Sequence, residues 1–259
     1  MKLSYFDLLS GRPIQVSGIG HVKSPKLKDI APEGEINQDT YDIFLGVLSW
    51  DKDKIILYDE KMQYHGVDKL KNEGLSAFDV MTLLPQTREL CGFALSFFIE
   101  ESVAWDQSKR AYVIFYKNAD DTVKEVGLIN KSNFDYVRKL LLQLNYIGLD
   151  EDEAPVRHSS DASKDAWDRV QDYLANQAKT SSKEDKKEYH LGNIISKLCA
   201  AHPSYNLFNV YELTIFQLYD SFFQLGYIRS SNLSERIFSN HGGEKFKFEE
   251  WLKPIIKEQ

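Results

Sequence analysis

Three residues in the C-terminal part of the chain have side chains that could bind a metal ion, namely His190, Cys199 and His202. Zinc prefers imidazole nitrogen and thiolate sulfur, and a spacing of three places Cys199 and His202 on one helical face. His190 lies about 18 Å from His202 along a continuous helix, and a fourth ligand is missing. We therefore expect Cys199 to be a small buried hydrophobe and His202 a helix-end residue, with no metal site.

The motifs that usually mark nucleotide binding or covalent catalysis are missing from the sequence. Gly18-Ile19-Gly20 resembles the start of a dinucleotide fingerprint, but Lys23 stands where the third glycine is required. The sequence contains no phosphate-binding loop, no His-Glu-x-x-His, no Cys-x-x-Cys and no nucleophile elbow.

Paired carboxylates are the remaining candidates for chemistry. Glu100 and Glu101 are adjacent, so on a helix they would point about 100° apart and could not act on one bond. The acidic run 150–153 lacks the alternating ligands and the turn glycine of a calcium loop. The sequence therefore predicts that the protein is not an enzyme and that it has no catalytic residue and no cofactor.

Composition narrows the class of protein. The net charge of −7 argues against nucleic-acid binding, which requires clustered Lys and Arg. The most apolar stretch, 90–99, is about half the length that a membrane span requires. Two cysteines, Cys91 and Cys199, are too few for a disulfide framework, so we expect a soluble protein of the reducing cytoplasm.

The N-terminal half predicts a mixture of helices and hairpins. Residues 1–36 favour a small hairpin or extended arm with Ile14 and Val16 on one face. Asn37 or Asp39 can cap a helix, and 55–58 reads as a short buried strand. The apolar positions of the capped helix are Tyr41, Phe44, Leu45, Leu48 and Trp50.

The middle of the chain carries stronger signals. Ser76 and Asp79 have capping-box spacing for a short helix through Leu84, and a helix apolar almost all round is predicted for 87–101. Residues 112–116 and 123–129 predict a hairpin. Ser132 or Asn133 then caps a helix ending near Gly148, with a buried stripe of Phe134, Val137, Leu140, Leu141 and Leu144.

The apolar periodicity disappears at residue 150 and returns at Trp167. We therefore predict an N-terminal α+β domain, 1–149, an acidic and polar linker, 150–164, and a helical C-terminal domain, 165–259. In the last of these, helices are expected at 188–201 and 210–225, the second closed by Gly226. The fold class is mainly α with a small β component (α+β).

The helix predicted for 210–225 carries more large apolar side chains than one buried face can hold. Most should be core, but an edge of the stripe could face a partner helix. The next candidate is the N-terminal segment from Pro25 to Ile30, which we call the arm. The residues assigned to partner binding are therefore Tyr211, Phe216, Tyr219 and Phe223, and in the arm Pro25, Leu27 and Ile30.

Two segments resemble the tail assembly chaperones of long-tailed bacteriophages. One is Ser-Pro-Lys-Leu-Lys-Asp-Ile at 24–30, followed by Tyr-Asp-Ile-Phe-Leu at 41–45. The other is Cys-Ala-Ala-His-Pro-Ser at 199–204, followed by Leu-Thr-Ile-Phe-Gln-Leu-Tyr-Asp-Ser-Phe at 213–222. Residues 85–144 have no counterpart in that pattern.

The resemblance implies an ATP-independent factor of phage tail morphogenesis in the host cytoplasm. Its partners would be a long helical tape-measure protein and tail-tube subunits, with no nucleic acid and no membrane; homo-oligomerisation is left open. A baseplate or tail component retained in the virion is a second interpretation. An enzyme with an unrecognised site, using His190, Cys199 and His202, is a third.

The predicted linker can be tested by limited proteolysis of the purified protein. The first cuts are expected within 150–164, because a polar segment without apolar periodicity does not pack against a core. Protection throughout that segment would indicate a single compact domain.

Overall fold

The computed structural model describes residues 3–31, 33–61, 74–117, 122–148 and 191–241. These residues form eight α-helices, two 3-10 turns and two antiparallel sheets, which confirms the α+β class. The helices are α1 (Tyr5–Ser10), α2 (Gln38–Ser49), α3 (Lys52–Lys61), α4 (Ala77–Leu83), α5 (Pro85–Phe98), α6 (Phe134–Leu144), α7 (Leu191–Ala201) and α8 (Ile215–His241). The strands are β1 (Ile14–Val16), β2 (Gly20–Val22), β3 (Ser102–Asp106), β4 (Ala111–Lys117) and β5 (Val123–Ile129).

The predicted N-terminal hairpin is present, with β1 antiparallel to β2 and Ile14 opposite Val22. A short helix that the sequence analysis did not predict, α1, precedes it; the Ser4 side chain caps α1, and Gly11 ends it at φ 64°. The predicted α2 is also confirmed. Asn37 caps α2, four of its five named apolar residues are buried, and Trp50 is half-buried just beyond its last turn.

The strand predicted at 55–58 is wrong, because these residues lie in α3. The Asp51 side chain accepts a hydrogen bond from the Lys54 backbone N–H, the interaction of a helix cap. Ile55 and Ile56 are both buried. A short run of β-branched residues is ambiguous between a strand and a buried helical turn, and here the cap selects the helix.

The second sheet has the order β3-β4-β5 and forms one antiparallel meander. Its β4–β5 pair is the predicted hairpin, with a register shift between Ile114 and Phe115. Strand β3 was not predicted. The helix expected for 87–101 instead begins at Pro85 and ends at Phe98, so Glu100 and Glu101 lie in the bend that leads into β3.

Both capped helices predicted for the middle segment are present, but only α4 has the predicted side-chain cap, and α6 ends at Leu144, before Gly148. Ser76 and Asp79 make the reciprocal capping box of α4. Asn133 occupies the cap position of α6 without a side-chain cap bond. All five residues of the predicted α6 stripe are 0–2% exposed. These helices and the inner face of the meander enclose the main core.

The C-terminal helix differs from its prediction at both ends. Residues Val210–Glu212 form a 3-10 turn, and α8 begins only at Ile215. The Gln217 backbone N–H donates to the Thr214 hydroxyl, and the Thr214 N–H donates to the Gln217 side-chain oxygen. This capping-box geometry fixes the start of the helix. The helix then continues through Gly226, which therefore does not end it.

Buried residues of 191–219 belong to the same hydrophobic cluster as the core of residues 3–146. The linker, Trp167 and the start expected at 188 lie outside the described residues, so the division into domains stays a prediction. Within the described ranges, no helix is both long and apolar enough to span a membrane.

Two glycine substitutions test the course of α8. Gly226→Ala should raise the free energy of unfolding by up to about 1 kcal/mol, because alanine favours helix and the added Cβ meets nothing within 4 Å. An added Cβ at Gly148 also meets nothing within 4 Å, but an alanine is strained at the φ of 69° found there. Gly148→Ala should therefore lower the free energy of unfolding by about 1–2 kcal/mol. Denaturant unfolding measures both; a destabilising Gly226→Ala would contradict the continuous helix.

Candidate functional site

Six of the seven residues assigned to partner binding are buried or half-buried within the chain. In the arm, Pro25, Leu27 and Ile30 are buried. In α8, Phe216 and Tyr219 are 0% and 5% exposed and Phe223 is half-buried. Only Tyr211, at 39%, offers much surface. Contact of these residues with another protein stays a prediction.

The arm pairs with the segment that precedes α8. The Leu27 backbone N–H donates to the Leu213 carbonyl at 2.9 Å, and the Ile215 N–H donates to the Pro25 carbonyl at 3.0 Å. Lys26 and Thr214 form the antiparallel bridge between them. The two candidate segments therefore meet, as one intramolecular interface.

Aromatic rings complete this interface. Tyr146, at the end of α6, has its ring centroid 4.9 Å from that of Phe216, 5.8 Å from that of Tyr219 and 5.5 Å from that of Phe223. The helix predicted to have surplus apolar surface thus uses part of that surface against Tyr146, just beyond the end of α6. Offset aromatic contacts add about 0.5–1.5 kcal/mol to ordinary burial, which favours this internal use.

The loop between α7 and α8, residues 204–212, presents apolar side chains to solvent. Leu207 is 63% exposed and Phe208 is 97% exposed, and Tyr211 follows on the 3-10 turn. We call Leu207, Phe208 and Tyr211 the loop tip. Val210, by contrast, is fully buried and anchors the loop to the core.

Two asparagines fix the shape of this loop. The Asn206 side-chain oxygen accepts from the Phe208 N–H at 2.9 Å and the Asn209 N–H at 3.2 Å. The Asn209 side-chain oxygen accepts from the Asn206 N–H at 2.8 Å, while its amide donates to the Ser204 carbonyl at 2.9 Å. Such reciprocal bonds replace a helical or strand ladder, so the loop tip is held in one backbone conformation.

Charged residues flank the loop tip. Glu212 accepts from Lys28 at 2.8 Å and from Lys26 at 2.9 Å, and all three side chains are substantially exposed. Exposed ion pairs contribute little to stability. Their effect here is positional, because they tie the arm to the base of the loop.

A second cluster surrounds Glu101, whose side chain is completely buried. Its carboxylate accepts from the His21 backbone N–H at 2.9 Å, from the Tyr116 hydroxyl at 2.7 Å, and lies 2.8 Å from Nδ1 of the His21 ring. The β1–β2 hairpin positions His21, and β4 positions Tyr116. A Cβ at Gly20 would lie 2.6 Å from the carboxylate, so glycine is required for this approach.

The hydrogen bonds set the protonation of Glu101. Burial alone raises the pKa of a carboxyl group, but the bonds from the His21 backbone, the Tyr116 hydroxyl and the His21 ring together outweigh it. The pKa of Glu101 therefore lies below its usual value. The same carboxylate raises the pKa of Tyr116 through their hydrogen bond.

The cluster contains a carboxylate–imidazole pair, which is one part of a catalytic triad. A carboxylate that accepts from Nδ1 leaves Nε2 of the imidazole free to act as a base. Among the described residues, however, the ring's side-chain hydrogen bonds lead only to Glu101 and Tyr116. Glu101 also lines an open cleft of about 630 Å³ with Lys23 and Glu35. The arrangement mainly clamps the hairpin to the meander.

Two of the three candidate metal ligands, Cys199 and His202, lie in the described part of the chain. Cys199 is half-buried in α7, and His202 lies just past the end of that helix, where its ring packs on Tyr205. His190 lies outside the described residues. In the described ranges no group of three His, Cys, Asp or Glu residues could hold a metal ion.

Two features of these sites escaped the sequence analysis for different reasons. The Thr-x-x-Gln capping signature at 214–217 is present in the sequence and would have placed Tyr211 outside the helix predicted for 210–225. The Glu101 cluster had no sequence signal, because His21 and Glu101 are 80 residues apart. The sequence pattern predicted a helix at Glu101, whereas the chain bends there, which buries Glu101 and leaves Glu100 exposed.

Comparison with known proteins identifies one segment. A family model described as the YomV second domain matches residues 182–256, a range that includes α7, the loop tip and α8. The match covers well under half of the chain and indicates a phage-derived protein, a coarser assignment than a tail assembly chaperone. No curated protein and no solved structure gives a significant match.

Replacing the buried carboxylate tests the clamp. Glu101→Gln should lower the free energy of unfolding by about 1–3 kcal/mol at pH 7, because a buried network loses its ionised acceptor. Since the folded-state pKa is depressed, this contribution is present above the unfolded pKa of about 4.5 and is lost as the pH falls below it. The difference from the unmutated protein should therefore shrink toward pH 3.

Glu100→Gln is the matched control, since Glu100 is adjacent but exposed. Its effect should stay within about 0.5 kcal/mol at each pH. Denaturant titration at pH 7 and pH 3 measures both variants. Equal effects of the two substitutions at pH 7 would contradict the clamp, as would an effect of Glu101→Gln that does not shrink at pH 3.

Proposed function

We propose that this chain is a non-enzymatic protein-binding factor of phage tail morphogenesis, acting as a tail assembly chaperone does, and that it engages its partner through the loop tip. The observation that carries the proposal is Phe208, which is 97% exposed on a loop of fixed backbone. The likeness of residues 182–256 to a phage-derived domain supports the setting.

The physical argument concerns the free energy of binding. Burying a phenylalanine side chain contributes about 1.5–3 kcal/mol. A flexible loop would lose part of that gain to ordering, but the asparagine bonds have already ordered this one. Aromatic residues at the centre of an apolar patch are the usual energetic anchors of protein interfaces.

The chemistry of the loop tip suits an apolar helical partner. Leu207 and Phe208 offer no charge and no hydrogen-bonding group, while Tyr211 adds one hydroxyl at the edge. Such a surface fits the apolar stripe of an amphipathic helix. A long helical tape-measure protein would present this stripe repeatedly before tail assembly, which makes it the partner we propose, with tail-tube subunits as a second.

The test is co-purification of this chain with a co-expressed helical segment of a phage tape-measure protein. Phe208→Ala should weaken binding at least tenfold, since loss of an anchor costs about 2 kcal/mol or more. Its melting temperature should be nearly unchanged, because an exposed side chain contributes little to folding.

Phe93→Ala is the matched control: Phe93 is 64% exposed but lies on α5. Binding should not respond to that change. Unaltered binding of Phe208→Ala would contradict the role of the loop tip. Detection of the chain in purified virions by immunoblot would favour a retained baseplate or tail component instead.

A further inference from the structure

Helix α1 is a short amphipathic element seated on α8. Only six residues long, it has Leu8 buried and Phe6 78% exposed. Isolated helices shorter than about 12–15 residues are marginal in water, so contacts with α8 and neighbouring elements must keep α1 folded. Gly11, in the left-handed conformation, ends the helix and separates it from the hairpin.

Three side-chain contacts define how α1 is recognised. The Tyr5 hydroxyl donates to the Asp220 carboxylate at 2.7 Å. The Gln217 side-chain amide donates to the Leu9 carbonyl at 2.7 Å, which satisfies the end of α1. The Tyr5 ring packs edge-on against Phe216, with centroids 6.3 Å apart. The Leu8 side chain contributes buried apolar area.

The burial of Asp220 weakens the docking that its hydrogen bond with Tyr5 specifies. Asp220 is 6% exposed, and within the described residues its carboxylate accepts a hydrogen bond only from Tyr5. Burial raises the pKa of this carboxyl group, which means that the ionised form is disfavoured while α1 covers it. Undocking of α1 would return the charge to water and relieve that penalty.

We propose that α1 is a displaceable internal ligand, and that the surface of α8 beneath it binds a short amphipathic helix from a partner. The partner helix carries a tyrosine followed by leucines three and four positions later, the pattern of Tyr5, Leu8 and Leu9. Departure of α1 uncovers part of Phe216, one of the residues that the sequence pattern assigned to partner binding. This surface is separate from the loop tip.

Hydrogen exchange of the full chain measures how readily α1 leaves. Amides of α1 should exchange at least tenfold faster than those of residues 215–223 in α8. Asp220→Asn should slow exchange in α1, because the amide keeps the bond from Tyr5 without burying a charge. Equal protection of α1 and α8 in the unmutated protein would overturn the proposal, as would unchanged exchange of α1 in Asp220→Asn.

Binding of a labelled peptide with the sequence of residues 3–11 tests the vacated surface. The peptide is titrated up to about 1 mM, which is comparable to the effective concentration of a short tether. Its affinity for the Leu8→Ala chain should be at least tenfold higher than its affinity for the unmutated chain. Tyr5→Ala offers a milder undocking variant if Leu8→Ala does not fold. Phe6→Ala, altered on the exposed face of the same helix, should behave as the unmutated chain.

A peptide carrying Ala at the Tyr5 position should lose this binding. Absence of binding to both undocked variants, or equal binding to undocked and unmutated chains, would overturn the proposal. Neither result would affect the role of the loop tip, because that role is measured with the α1 site unaltered.

Discussion

Residues 25–27 of the arm and 213–215 before α8 pair through their backbones, and much of the described structure depends on this short contact. Its two hydrogen bonds join segments more than 180 residues apart along the chain. Closing so long a loop carries an entropic cost that grows only slowly with length, so a few bonds with good burial can offset it. Leu27 and Ile215, which flank the pairing, are nearly inaccessible to solvent.

The pairing sets the positions of elements on both sides. With residue 214 fixed, the Thr214–Gln217 capping box sets where α8 starts and in which direction it runs. The side-chain nitrogen of Gln217 donates to the carbonyl of Leu9. The same contact places Lys26 and Lys28 beside Glu212 at the base of the loop. The arm, α1 and the loop tip are therefore arranged around a single point.

Buried polar groups mark the main docking interfaces. Tyr41 of α2 donates to Asn145 at the end of α6, and Glu101 joins the hairpin to the meander. Asp220 connects α8 to α1. A buried polar group requires a partner at one distance and angle, whereas apolar surfaces tolerate sliding. These contacts specify how elements meet, and apolar burial supplies most of the favourable free energy.

The sequence by itself determined the local structure of most elements. The caps of α2 and α4, the stripe of α6 and the hairpins at 14–22 and 111–129 could be predicted because each signal lies within one element. It also predicted that the aromatic residues of 211–223 would be buried against something. Only the tertiary structure decided against what: Tyr146 contacts Phe216, Tyr219 and Phe223, while Tyr211 and Phe208 remain exposed. The apolar periodicity of a helix indicates that one of its faces is removed from water. It does not distinguish burial inside the same chain from burial against a partner, because both remove that face from water.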